Sequence, residues 1–235
     1  MKSDHFFKPL TTFTPFSMLT PFTLRLSKGW VAAAFLVGCS NTPPQPDWQM
    51  SAKTHLEHAV DAYLSGNDRV ATSEFERARA EVARTGRPDW LARVELVRCA
   101  SHVASLDVAP CTGFEALRRD AAPAEQAYAD YLAGRAQPKD AELLPSAHRA
   151  VAGGAVVLPE GGDALSRLVA SAVVLQTGKA SLALVAQAVD AASTQGWRRP
   201  LLAWLGVQLK LAEQGGAASE ADRIRRRLAV VQGKP

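Results

Sequence analysis

From Ser51 onward the apolar residues of this chain recur three and four positions apart, and Gly or Pro interrupts the pattern again and again. That period is the helical one. Ala71, Phe75, Ala78 and Val82 form one such stripe, after Asn67-Asp68, a pair suited to a helix N-cap. Leu165, Leu168, Val169, Ala172 and Val173 form another. The spacing predicts helices over about 52–64, 68–84, 88–105 and 123–133, with a short one holding Phe114 and Leu117. Leu182, Val185 and Val189 mark a further helix, and Pro200 opens one with Leu201, Trp204 and Leu205. Ser219 is read as the start of the last helix, with Asp222 as its capping partner and Ile224, Leu228 and Val231 as its stripe. Pro145 splits one stretch, because proline is poorly tolerated inside a helix. Gly153-Gly154 and Gly161-Gly162 bracket the clearest loop, near 151–162, so the body is one domain or two lobes divided there. Alanine dominates the apolar content and aromatics are few, which favours closely packed helices. The expected fold is all-α: helical hairpin repeats or an irregular helical bundle.

A second feature precedes this body. Arg25 and Lys28 lead into a short apolar run, Trp30 to Val37, and Leu36-Val37-Gly38-Cys39 closes it. The run is far short of the roughly 20 apolar residues a spanning helix needs. A basic part, a short apolar part and small residues at a cut site describe a signal peptide. The closing tetrad resembles the lipobox of bacterial lipoproteins. The resemblance implies cleavage between Gly38 and Cys39, with a diacylglycerol thioether and an acylated amine on Cys39. Each buried methylene contributes about 0.8 kcal/mol, so two or three chains on one residue hold firmly where one holds weakly. Ser40, rather than aspartate, follows the cysteine, which by the same resemblance implies the outer membrane, with the protein facing the periplasm. Residues 1–38 are thus read as the signal peptide. Residues 1–17 make that leader unusually long, and Met18 is expected to be the true start.

Residues 39–50 are read as the lipidated cysteine and a tether, and 51–235 as the helical domain. Three prolines between Ser40 and Asp47 make that tether stiff and extended, roughly 25 Å at polyproline rise. The formal charge of +4 is largely the leader's. Removing Lys2, Lys8, Arg25, Lys28 and Asp4 from 27 basic and 23 acidic residues leaves 23 against 22. A near-neutral mature chain gives no case for nucleic acid, which needs a concentrated basic face. With Cys39 acylated, Cys99 and Cys111 remain as an even pair in an oxidising compartment. A bridge between them is expected, against two buried free thiols.

An internal echo runs through the body. Gly66 and Pro88 bracket one helix, and Gly178 and Pro200 bracket another at the same separation of 22. Gly66, Ala71, Phe75 and Ala78 fall at the Gly, Ala, aromatic and Ala positions of a tetratricopeptide repeat, which the first unit resembles in part. Ala83 stands where that family closes with proline. The second unit keeps Gly178 and Ala183 but has Gln187 and Asp190 at the next two positions. The resemblance is therefore to a degenerate repeat, beside the plainer reading of a helical bundle.

Catalytic patterns are missing from the sequence: there is no G-x-S-x-G, H-E-x-x-H or phosphate loop. His55 and His58 flank Glu57 without a third spaced ligand, and no metal or cofactor is expected. Two features suggest binding instead. Arg223, Arg225, Arg226 and Arg227 cluster on the last helix, with Arg198-Arg199 at a helix start, either as a solvated face or as a contact for an acidic partner or anionic headgroups. Tyr128, Tyr131, Trp197 and Trp204 either line a groove or pack in the core. The expectation is a non-catalytic lipoprotein held in the bilayer through Cys39. It would bind another envelope protein as an assembly accessory; the alternative is a carrier or sensor for a small molecule or peptide.

Overall fold

The computed structural model describes residues 46–159 and 161–233 of the 235. Met18, the Leu36–Cys39 tetrad and the tether up to residue 45 lie outside the described residues. Within them the chain is all-α: ten α-helices and two short 3-10 turns, and no strand. From Asp47 onward the chain forms one compact unit.

Three helices open it: α1 (Asp47–Ser65), α2 (Asp68–Ala83) and α3 (Pro88–Ala104). The first helix begins at Asp47, so the residues up to 50 that were read as tether belong in part to it. Asn67 caps α2 by accepting from the Val70 backbone N–H, and the whole stripe Ala71, Phe75, Ala78 and Val82 is buried. Pro88 sits in the first turn of α3, where its missing N–H costs nothing. α3 is buried along most of its length, and α1, α2, α5 and α7 all pack on it. A helix buried all round is a core helix.

A looser stretch follows: α4 (Thr112–Glu115), a 3-10 turn at Arg118–Asp120, α5 (Pro123–Leu132), a second 3-10 turn at Pro138–Leu143, and α6 (Ser146–Ala152). The last four helices are α7 (Ala164–Gln176), α8 (Leu182–Gln195), α9 (Arg198–Gln214) and α10 (Ala218–Gln232). Gly196, at φ +69°, ends α8 in the left-handed conformation that glycine adopts most cheaply. The loop between α6 and α7 does not divide the body, because α3 and α7 pack together across it.

Two further expectations are corrected at this level. Ser219 does not start the last helix: Ala217 is the N-cap, without a side-chain hydrogen bond, and Ser219 lies within the first turn. Leu182 does not belong to the buried stripe of α8 but is 66 % exposed. The core face of α8 is instead Leu184, Val185, Ala188, Val189 and Ala192.

Buried ion pairs tie the layers. Arg79 on α2 pairs with the buried Glu95 of α3, and Arg93 Nε donates to the buried Glu125 of α5 at 2.7 Å. Breaking one partner of such a pair strands a charge in low dielectric, which is why both ends are needed. Gly113 lies against Glu95, whose carboxylate leaves no room for a Cβ there.

Candidate functional site

The first of the two binding features separates into two roles once the helices are placed. On α10 the residues Arg223, Arg226, Arg227, Val230 and Val231 stand at i, i+3, i+4, i+7 and i+8, so they share one face. With Ser193 of α8 and Leu201 of α9 they line an open groove of about 330 Å³. Its lining combines the apolar Leu201, Val230 and Val231 with three guanidinium side chains. Arg225 does not line it. That side chain holds Glu213 at 2.5 Å and Asp222 at 2.6 Å.

The arginines of the groove differ in how far they are neutralised. Arg223 grips Glu220 with two hydrogen bonds, at 2.7 and 2.8 Å. That grip holds the Glu220 carboxyl below its usual range, with weaker help from the charge of Arg227. Among the described residues neither Arg226 nor Arg227 is ion-paired. Arg198 donates to the Val231 carbonyl at 3.1 Å, fixing the end of α10 to the start of α9. Val230 is 78 % exposed, and α10 buries only Ala221 and Ile224 fully.

Arg199, its neighbour at the helix start, works inside the fold. Its guanidinium donates to the Tyr63 carbonyl at 2.7 Å, pairs with Asp68 and lies over the Tyr63 ring at 4.3 Å. Tyr63 in turn stacks on His102, which hydrogen-bonds Asp107 at 2.8 Å. Trp197 Nε1 donates to Asp61, and Trp204 Nε1 donates to the Ala104 carbonyl. These contacts dock α9 onto the ends of α1 and α3.

The four aromatics line no common groove. Tyr128, Tyr131, Trp197 and Trp204 are all buried. The tyrosines close around His148, with ring centroids 5.4 and 4.9 Å from it, while the tryptophans anchor α9. Neither Tyr131 Oη nor His148 Nδ1 has a protein hydrogen-bond partner. Burial pushes the His148 imidazole down to about 4, with a small opposing effect from Asp163. Burial likewise raises both phenols. A neutral imidazole in an aromatic cage is a packing element here.

The remaining histidines and cysteines are placed as follows. His55 hydrogen-bonds Glu74 at 2.6 Å, which holds that carboxyl below its ordinary range. Among the described residues no group of three His, Cys, Asp or Glu side chains could hold a metal ion. Cys99 of α3 and Cys111 face each other at disulfide distance, with Cα atoms 5.8 Å apart. A second cleft of about 140 Å³ lies beside Cys111, between Val108, Pro110, Ala133 and Gln176. Cys39 lies outside the described residues. No known family, characterised protein or solved structure matches the chain.

Proposed function

We propose that this chain is a lipid-anchored protein of the bacterial envelope that serves as a helical docking module and catalyses nothing itself. The observation that carries the reading is in the sequence: Leu36-Val37-Gly38-Cys39 closes a short apolar run behind Arg25 and Lys28, and a proline-rich segment follows. Cys39 is the acylated residue, and Ser40 directs the protein to the outer membrane, facing the periplasm. The folded part suits this role. It is all-α, and helical stacks bind other proteins along their surfaces; in sequence, Gly66, Ala71, Phe75 and Ala78 resemble part of a tetratricopeptide repeat. Among the described residues no helix is long and apolar enough to cross a membrane, so attachment would rest on the cysteine. The groove beside α10 is open and lined by both apolar side chains and arginines, which favours a protein surface over an enclosed carrier pocket.

Mass spectrometry of protein extracted from membranes tests the anchor. The expected N-terminus is Cys39 with its acyl chains; a bare or unprocessed Cys39 overturns the reading. Cross-linking in intact cells should then recover one envelope protein in stoichiometric amount.

A further inference from the structure

We infer that the groove between α9 and α10 docks an acidic amphipathic helix of a partner protein. The apolar side chains of that helix would rest on Leu201, Val230 and Val231, and its carboxylates would meet Arg226 and Arg227. The inference deepens the docking-module reading and rests on it for the partner being a protein.

Charge complementarity chooses the occupant. Four arginines crowd into five residues of α10, yet the fold neutralises only two of them, Arg223 by Glu220 and Arg225 by Glu213 and Asp222. The two left without carboxylates, Arg226 and Arg227, both line the groove beside Val230 and Val231, and the third arginine there, Arg223, has its charge already paired. An occupant that is only acidic would leave Val230 and Val231 in water. One that is only apolar would desolvate two guanidiniums without pairing them, which is costly. An amphipathic helix with carboxylates beside its apolar stripe satisfies both, and helix-in-groove docking uses such i, i+3, i+4, i+7 anchors. The groove, at about 330 Å³, sits at the low end of ligand-pocket volumes and holds anchor side chains rather than a whole cofactor.

The apolar part of the lining favours a protein helix over a lipid headgroup, which would pair Arg226 and Arg227 and leave Val230 and Val231 in water.

The test uses the full-length chain and fluorescein-labelled synthetic helices. One carries a leucine stripe flanked by glutamates; the controls replace the glutamates by lysine or the leucines by serine. Anisotropy should show binding of the first and of neither control. Arg226→Glu with Arg227→Glu should weaken it roughly tenfold or more, and Val230→Asp should do the same. Arg225→Glu, which changes charge on the other side of α10, should leave it within about twofold. Equal loss with Arg225→Glu would reduce the effect to bulk electrostatics and overturn the inference. So would absence of peptide binding, or phosphatidylglycerol vesicles binding through Arg226 and Arg227 where the peptide does not. Concentration-dependent sedimentation abolished by Val230→Asp, with no peptide competition, would give the groove to a second copy of the chain and also overturn it. The two readings fail separately. An unmodified Cys39 removes the anchor whatever the peptide does, and a silent groove leaves an acylated Cys39 standing.

Discussion

Helices α2 and α10 start from the same kind of sequence and end in different states. Each carries one apolar stripe on an otherwise charged helix, Ala71-Phe75-Ala78-Val82 on α2 and Ile224-Leu228-Val231 on α10. The first stripe is wholly buried, because α1 and α3 both pack on α2. The second is buried only at Ile224, because α9 is the main neighbour of α10 and Leu228 and Val231 stay half exposed. Amphipathicity therefore sets which face turns inward, while the number of neighbours sets how much of that face is covered. A helix packed by two neighbours spends its stripe on stability. A helix at the end of a stack keeps part of it for something else.

The comparison predicts its largest effect at Phe75, 2 % exposed at the centre of the closed stripe. Phe75→Ala should cost about 3–5 kcal/mol in urea unfolding, the usual range for a buried aromatic. A loss under about 1 kcal/mol would mean that α2 is not closed at all. Next comes acid, which should act on the closed interior through His148. Its pKa in the folded protein, about 4, lies below the ordinary 6.5, so the unfolded chain binds the extra proton. Stability from this group is then full above about pH 6.5 and falls as pH drops towards 4, by on the order of 3 kcal/mol in all. Unfolding midpoints measured across that window should flatten in His148→Phe. An unchanged slope in the variant would clear His148 of the effect.

The closed region was the legible one. Ala71, Phe75, Ala78 and Val82 announced their helix because period, cap and breaker agreed, and Leu168, Val169, Ala172 and Val173 did so on α7. The groove was legible only in part. Four arginines in a row of five read as a single patch, although each residue turns the helix by about 100°, and Arg225 faces its own carboxylates on another side. The 3.6 period alone groups Arg223, Arg226 and Arg227 with Val230 and Val231; what it lacks is Leu201, which only the placement of α9 supplies. Glu95 and Glu125 were missed for a related reason. A charged residue on a helix reads as solvent-facing until its partner is placed, and the partner of Glu125 is 32 residues away. Leu182 misled in the opposite direction, since it fits the spacing but stands at the very start of its helix and stays 66 % exposed.

The helix starts differ too, and a smaller effect follows. Asn67 caps α2 through its side chain, whereas Ala217 leaves the first N–H groups of α10 without one. Asn67→Ala should cost about 1 kcal/mol, and Ala217→Asn should add a comparable amount. Paired chemical-unfolding curves measure both. A gain at position 217 with no change in peptide binding would show that the end of the stack can be stabilised without touching its groove.

The smallest expected effect is the most discriminating, because it sets the same residue type in the two helices side by side. Val82 is fully buried on α2, and Val230 is 78 % exposed on α10. Val82→Ala removes two carbons from a closed site, worth about 2 kcal/mol once the cavity is included. Val230→Ala removes the same atoms from a surface, and alanine gains a few tenths of a kcal/mol in helix propensity. The net change at Val230 should thus lie within about 0.5 kcal/mol of zero in equilibrium unfolding of the isolated protein. Binding should respond in reverse order: the acidic helix should bind Val230→Ala more weakly and Val82→Ala unchanged, provided the latter is folded. If Val230→Ala instead costs as much as Val82→Ala, the outer face of α10 is already covered in the isolated protein. The contrast between a closed helix and an open one would then be lost, and with it the reason for expecting a partner there.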